Sequence, residues 1–177
     1  MWDIRPEQPS DGTAVEALVE RCFGPGRFAK SAYRLREGVA SVPELSFVAI
    51  AKEGGALLGS VHFWPIAVGG LPALLLGPLA VQPDLRGKGI GIMLMQRGLD
   101  AARARGHGVV IVVGDEPYYA KVGFARLPPG RLQFPGPVDP ARVLGLSLKP
   151  GALVSLHGQV ARARIDILVS AQATKLG

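Results

Sequence analysis

Between Leu71 and Val113 the chain reads as strand, glycine-rich loop, helix and strand, a succession that leaves little freedom in how it folds. Leu71 to Val81 is an apolar run interrupted only by Pro72, Gly77 and Pro78. From about Gly89 to Arg105, Ile92, Met95, Leu99 and Ala102 recur along one helical face, and Gly106 marks the stop. Val109 to Val113 is a continuous β-branched run, the pattern of a strand covered on both faces. A helix linking two strands of one sheet makes a right-handed crossover, so these two strands should be parallel.

The chain before this unit has another period. Trp2 to Arg5 reads as a short strand ended by Pro6. Ser10 or Asp11 can cap a helix reaching about Phe23, with Val15, Leu18, Val19 and Cys22 at helical spacing. Gly24-Pro25-Gly26 breaks it, and a weakly patterned helical piece follows from Lys30 to Glu37. Phe47 to Ala51, Ala56 to Val68 and Leu71 to Val81 are joined by Glu53-Gly54-Gly55 and Gly69-Gly70, as in an antiparallel meander.

After Val113 a short helix spans Glu116 to Val122, and Gly123-Phe124 leads into a further strand. Pro128 to Pro140 holds five prolines in thirteen residues and reads as a loop. Val143 to Leu148 and Leu153 to Leu168 read as strands around a Lys149-Pro150-Gly151 turn. No repeat or compositional break divides the chain, so one domain over residues 1–177 is expected. The fold class is α/β with mixed α+β character. A central, mostly antiparallel sheet carries one parallel βαβ crossover and is flanked by helices.

Composition removes several classes of function. Cys22 is the only cysteine, so neither an intrachain disulfide nor a cysteine-based zinc site can form, and no metal is expected. Its apolar neighbours suggest a buried, inert thiol. No basic leader precedes an apolar stretch, and the longest apolar run is too short for a bilayer, so a cytoplasmic protein without membrane attachment is expected. The net charge of +6 favours an anionic ligand. Its densest cluster, Arg97, Arg103 and Arg105 around Asp100, has no interleaved aromatics, so nucleic acid is not expected as a partner.

The anion has an evident place. Gly87, Gly89 and Gly91 alternate just before the helix and leave its backbone N–H groups uncovered. The helix adds the positive end of its dipole, and Arg86 and Lys88 add full charges. A pyrophosphate fits such a cradle. A Walker loop does not match, because Lys88 is followed by Gly89 rather than by Ser or Thr. The dinucleotide fingerprint does not match either. The spacing is Gly-x-Gly-x-Gly, and Val109 to Val113 stand roughly twenty positions on, where an acidic residue is required.

Gly77-Pro78-Leu79-Ala80-Val81-Gln82-Pro83-Asp84-Leu85-Arg86-Gly87-Lys88-Gly89-Ile90-Gly91 resembles the central motif of the GNAT superfamily of N-acetyltransferases, with Arg86, Gly89 and Gly91 at its three defining positions. Tyr119-Ala120-Lys121-Val122-Gly123-Phe124 resembles the family's Tyr-x-x-x-Gly-Phe. The lead-in Gly114-Asp115-Glu116-Pro117-Tyr118 departs from the commoner asparagine-containing form and is more similar to a subgroup of bacterial predicted N-acetyltransferases. The resemblance implies acetyl-CoA as co-substrate. The backbone of Arg86, Gly87, Lys88, Gly89, Ile90 and Gly91 would hold its pyrophosphate, and Leu79, Ala80 and Val81 would flank its pantetheine arm as an added strand would. It implies that Tyr119 protonates the departing thiolate, a task suited to a phenol that stays neutral at physiological pH. Tyr118 is the neighbouring alternative.

The implied reaction is direct attack of a primary amine, on a small molecule or a protein, upon the acetyl carbonyl. Proximity and backbone N–H groups near Leu79 to Val81 would supply most of the catalysis, with no acetyl-enzyme. The general base stays open between His62, Glu116 and a relaying water. A non-catalytic acyl-CoA-binding regulatory module is the alternative reading, since the strand Leu71 to Val81 carries no carboxylate. The amine acceptor is not legible; its contacts should come from Phe23 to Gly38 and Pro128 to Pro140. Family members frequently dimerise, which leaves a homodimer open.

Overall fold

The structure, a computed structural model, describes residues 1–163. In chain order the elements are β1 (Trp2–Pro6), α1 (Gly12–Phe23), α2 (Ser31–Arg34), β2 (Phe47–Ala51), β3 (Leu57–Val68) and β4 (Leu71–Val81). They continue with α3 (Ile90–Ala104), β5 (Val109–Val113), α4 (Glu116–Tyr119), β6 (Ala125–Arg126), β7 (Leu132–Gln133), β8 (Val143–Ser147) and β9 (Gly158–Arg162).

The strands run in the order β1-β2-β3-β4-β5-β8-β6, and every neighbouring pair along that path is antiparallel except β4 and β5. The expected parallel crossover is therefore β4-α3-β5. A second, two-residue parallel pairing joins β7 to β9, inside the segment read as loop. β9 also lies antiparallel to Ile66–Val68, while β2 pairs with the first half of β3.

Strand alternation puts two apolar surfaces on opposite faces of the sheet. Phe63, Leu74, Leu76, Val110 and Val112 pack beneath Ile90, Leu94, Met95 and Leu99 of α3. Between them on β4 and β5, Ala73, Leu75, Val109 and Ile111 face the other way, toward Leu35 and Leu156. Val15, Leu18 and Val19 of α1 cover Val48 and Ala80. Each fully buried leucine contributes about 1.5–3 kcal/mol, and this two-sided burial is what holds the crossover rigid.

Three expectations are corrected. Asp11 does not cap α1 with its side chain; its carboxylate accepts from Arg5 at 2.7 and 2.8 Å and from the Gln8 N–H at 2.7 Å. The second helical piece is shorter than Lys30 to Glu37, only Ser31–Arg34. The last strand begins at Gly158 rather than Leu153. Arg131 gathers the carbonyls of Leu153, Val154 and Leu156 at 2.5, 2.8 and 3.0 Å, which keeps that stretch in turns. The strand expected beyond residue 163 lies outside the described residues. Among those described, no helix is long and apolar enough to cross a membrane.

Candidate active site

β4 and β5 pair only at Leu74↔Val110 and Leu75↔Ile111. Beyond this point the strands part, and the β5-facing edge of β4 has no strand partner among the described residues. A bulge drives the separation. Val61 of β3 faces Leu79, but Phe63 faces Leu76, so Gly77 and Pro78 together oppose His62 alone. Trp64 pins the bulge by donating from Nε1 to the Gly77 carbonyl at 2.6 Å. Two cavities open on the parted edge, and Phe23, Leu79, Tyr118 and Tyr119 line both.

One cavity, of about 500 Å³, lies against the start of α3. Leu79, Val81, Arg86, Gly87, Gly89, Ile90 and Gly91 line it, so seven of the nine expected cofactor residues come together there. Lys88 does not line it, and Ala80 is buried beneath α1. The three glycines have two separate causes. Gly87 and Gly89 have φ of 80° and 89°, which side chains rarely adopt. Gly91 is helical, and a Cβ there would collide with the Tyr118 hydroxyl. The first helical bond of the turn runs from Met93 N to Gly89 O at 3.0 Å, which leaves the N–H groups of Ile90, Gly91 and Ile92 free for an anion. Arg86 and Lys88 make no ion pair among the described residues. Cys22, read as buried, is half-buried and lines this cavity with its thiol 3.4 Å from the Val81 carbonyl.

The two tyrosines meet edge to face, ring centroids 5.3 Å apart, and Tyr119 meets Phe124 in the same way at 5.9 Å. Tyr119 packs on Gly114, which has no room for a side chain beneath the ring. Burial first, then Tyr118 and Asp115, push the Tyr119 phenol up to about 12, so it is a proton donor rather than a base at neutral pH. Burial raises Tyr118 as well.

The other cavity, of about 440 Å³, lies on the opposite side of Leu79 and the tyrosines. It brings Tyr33 and Arg36 from the α2 region together with Pro137 and Val138 from the proline-rich loop, the two segments expected to receive an acceptor. Ser31 Oγ donates to the Pro137 carbonyl at 2.7 Å and ties those segments together. Arg36, Asp115 and Arg142 also line it, and none had been singled out from the sequence as a site residue.

Neither side-chain candidate for the general base lies in these cavities. His62 Nε2 is 2.5 Å from Glu7 Oε2, in a half-buried pair between β3 and the residue that follows β1. Glu116 lies 2.7 Å from Arg126 Nη2. No cluster of metal-ligating side chains exists among the described residues.

The family model of the acetyltransferase (GNAT) family matches residues 13–124. The N-acetyltransferase YhbS of Escherichia coli K12 is 36% identical over 123 residues, covering 68% of this chain and 72% of that protein. The crystal structure of E. coli YhbS in complex with CoA superposes with a TM-score of 0.75 at 31% identity, covering 92% of this chain and 89% of that one. A GNAT-family acetyltransferase from Brucella melitensis, in complex with acetyl-CoA, superposes with a TM-score of 0.68 at 26% identity, covering 92% and 96%.

Proposed function

The chain belongs to the GNAT acetyltransferase family, and we propose that it transfers the acetyl group of acetyl-CoA to a primary amine by direct attack, without an acetyl-enzyme. The observation that carries this reading is the meeting of two cavities at Leu79, Tyr118 and Tyr119 on the parted edge of β4. One cavity has the cradle of an anion, and the other is open to a second substrate. The likeness to relatives solved with CoA and acetyl-CoA supports the identity of the acyl donor.

In this reading the free N–H groups at the start of α3 and the Arg86 guanidinium hold the pyrophosphate. The unpaired edge of β4 accepts the pantetheine arm in place of a strand. The acceptor amine enters from the α2 side and attacks the thioester carbonyl as a neutral nucleophile. Backbone N–H groups near Leu79 stabilise the oxyanion. On collapse of the tetrahedral intermediate the C–S bond breaks, and Tyr119 gives its proton to the departing thiolate. With His62 and Glu116 engaged elsewhere, water in the acceptor cavity takes the proton from the amine.

A thiol-release assay with acetyl-CoA against polyamines, aminoglycosides, amino acids and peptides tests the reading. Release with at least one amine is expected, and Tyr119→Phe should lower turnover by about 10²-fold or more while leaving acetyl-CoA affinity intact. Acetyl-CoA binding without turnover on any amine would instead favour a regulatory module that only binds acyl-CoA. Failure of the folded protein to bind acetyl-CoA would overturn both.

A further inference from the structure

The cavity on the α2 side is cationic. Arg27, Lys30, Arg36 and Arg142 line it, against the carboxylates of Asp115 and Asp139. Both carboxylates are already engaged: Asp115 lies 3.7 Å from Arg142, and Asp139 accepts from the Ala141 N–H at 2.9 Å. Arg27 pairs with Glu16 at 3.0 Å. Lys30 lies over the Phe23 ring, its nitrogen 5.7 Å from the centroid.

Arg36 differs from the other arginines of the cavity. No carboxylate pairs with it among the described residues, and its Nε, like that of Arg27, is buried without a hydrogen-bond partner. Its guanidinium carbon is 5.7 Å from the ring centroids of both Tyr33 and Trp64, so aromatic faces stand where a counter-ion would normally be. Nη2 lies 2.8 Å from where a Cβ of Gly77 would be, against the bulge that parts β4 from β5. Burying a guanidinium without an anion is costly. Cation–π contacts recover only part of that cost, less than a charge-assisted bidentate pair returns. The cost falls as well on the charge itself, for burial pulls Arg36 down to about 10, still protonated at neutral pH.

We infer that Arg36 is an acceptor-binding residue and that the amine acceptor carries a carboxylate, which the Arg36 guanidinium receives in the cavity between α2 and the β4 bulge. This rests on the acetyl-transfer reading and names the substrate class for the same site. A single unpaired planar fork matches one carboxylate bidentately. Its position against Gly77, at the place where the strands part, puts that carboxylate close to the reacting end of the acceptor. A free amino acid, or a peptide end with amine and carboxylate close together, has this shape.

Binding of the products tests the inference apart from turnover. Calorimetry on CoA-saturated protein would compare N-acetylglycine, N-acetylalanine, N-acetylleucine and N-acetylglutamate with their primary amides. At least one acid should bind tenfold or more tightly than its amide. Arg36→Met should abolish that preference and Arg36→Lys should restore part of it, with a thermal melt reporting that each variant is folded. Equal binding of acids and amides, or binding of neither, overturns the inference. In the thiol-release assay, turnover confined to amines without a carboxylate also overturns it while leaving acetyl transfer standing. Loss of acetyl-CoA binding by folded protein would remove acetyl transfer itself.

Discussion

The hydroxyl of Tyr118 fills the space that a side chain at residue 91 would need, so Gly91 and Tyr118 are a matched pair across the start of α3. A methyl at residue 91 would collide with that oxygen, while the next Tyr118 atom, Cζ, would lie 3.5 Å away in ordinary contact. Gly91→Ala should therefore weaken acetyl-CoA binding tenfold or more, by pushing Tyr118 toward the cofactor cavity. Tyr118→Phe, which removes only the colliding oxygen, should restore most of the loss in the double variant. Calorimetry on the four proteins of the cycle measures the coupling. Additive effects would show that the two residues are not in steric conflict.

Tyr119 should leave a mark on stability at alkaline pH. Its phenol ionises near 10 in the unfolded chain and near 12 in the folded one. Between those values the folded state holds the extra proton, so stability present below pH 10 is lost as the pH rises toward 12. Arg36 works in the opposite sense over the same range, because burial lowers it from its ordinary value to about 10. The difference between the protein and Tyr119→Phe isolates the tyrosine. Urea unfolding at pH 9 and pH 12 should show that difference shift by about 2 kcal/mol against the unsubstituted protein. A constant difference would mean that the phenol is not buried in its neutral form.

Cys22 reports on the cofactor cavity. It is the only cysteine in the chain, is half-buried, and shares the cavity with Arg86, Gly89 and Gly91. A ligand at a hundred times its Kd leaves about one per cent of the sites open. Alkylation by a maleimide should slow at least tenfold under saturating acetyl-CoA, followed by mass spectrometry of the intact protein. Arg86→Ala should lose that protection at the same concentration. An unchanged rate in the unsubstituted protein would place acetyl-CoA elsewhere.

The parts of the site visible in sequence are those built from near neighbours. The crossover β4-α3-β5 and the glycine segment 86–91 follow from periods and turns within one continuous stretch. Tyr119 is marked only by the resemblance of Tyr119 to Phe124 to a family motif, which is likewise one short stretch. Arg36 was not legible, because nothing local marks it. The α2 region has a weak pattern, and its place is set by remote contacts such as Ser31 with Pro137 and Arg34 with the Pro135 carbonyl at 3.4 Å. The setting of His62 is hidden for the same reason. Its partner Glu7 lies 55 positions away and reaches it only through the pairing of β1, β2 and β3. Gly91 lines the cavity, yet its contact with Tyr118 has no local mark in the sequence, since the two meet only in the folded chain.

The distance between α3 and the sheet sets where the anion cradle stands, and Gly98 sets that distance. A Cβ on Gly98 would run into the Phe63 ring on β3, with Cζ 2.7 Å away, and Phe63 is fully buried with no solvent side to move into. Glycine to alanine inside a helix ordinarily gains about 1 kcal/mol. Overpacking a closed core costs about 1–3 kcal/mol, occasionally more. Phe63 has nowhere to turn, so the cost should win, and Gly98→Ala should lose up to about 2 kcal/mol and melt lower. Gly12 is the control. It opens α1 with ordinary helical φ, and a Cβ there meets nothing within 4 Å, so Gly12→Ala should be neutral or slightly stabilising. Phe63→Leu, itself destabilising, should cost less in the Gly98→Ala background than alone, because it vacates the space the methyl needs. Thermal melts of these variants decide the matter: a Gly98→Ala protein as stable as its parent would mean that the helix can lift from the sheet without cost.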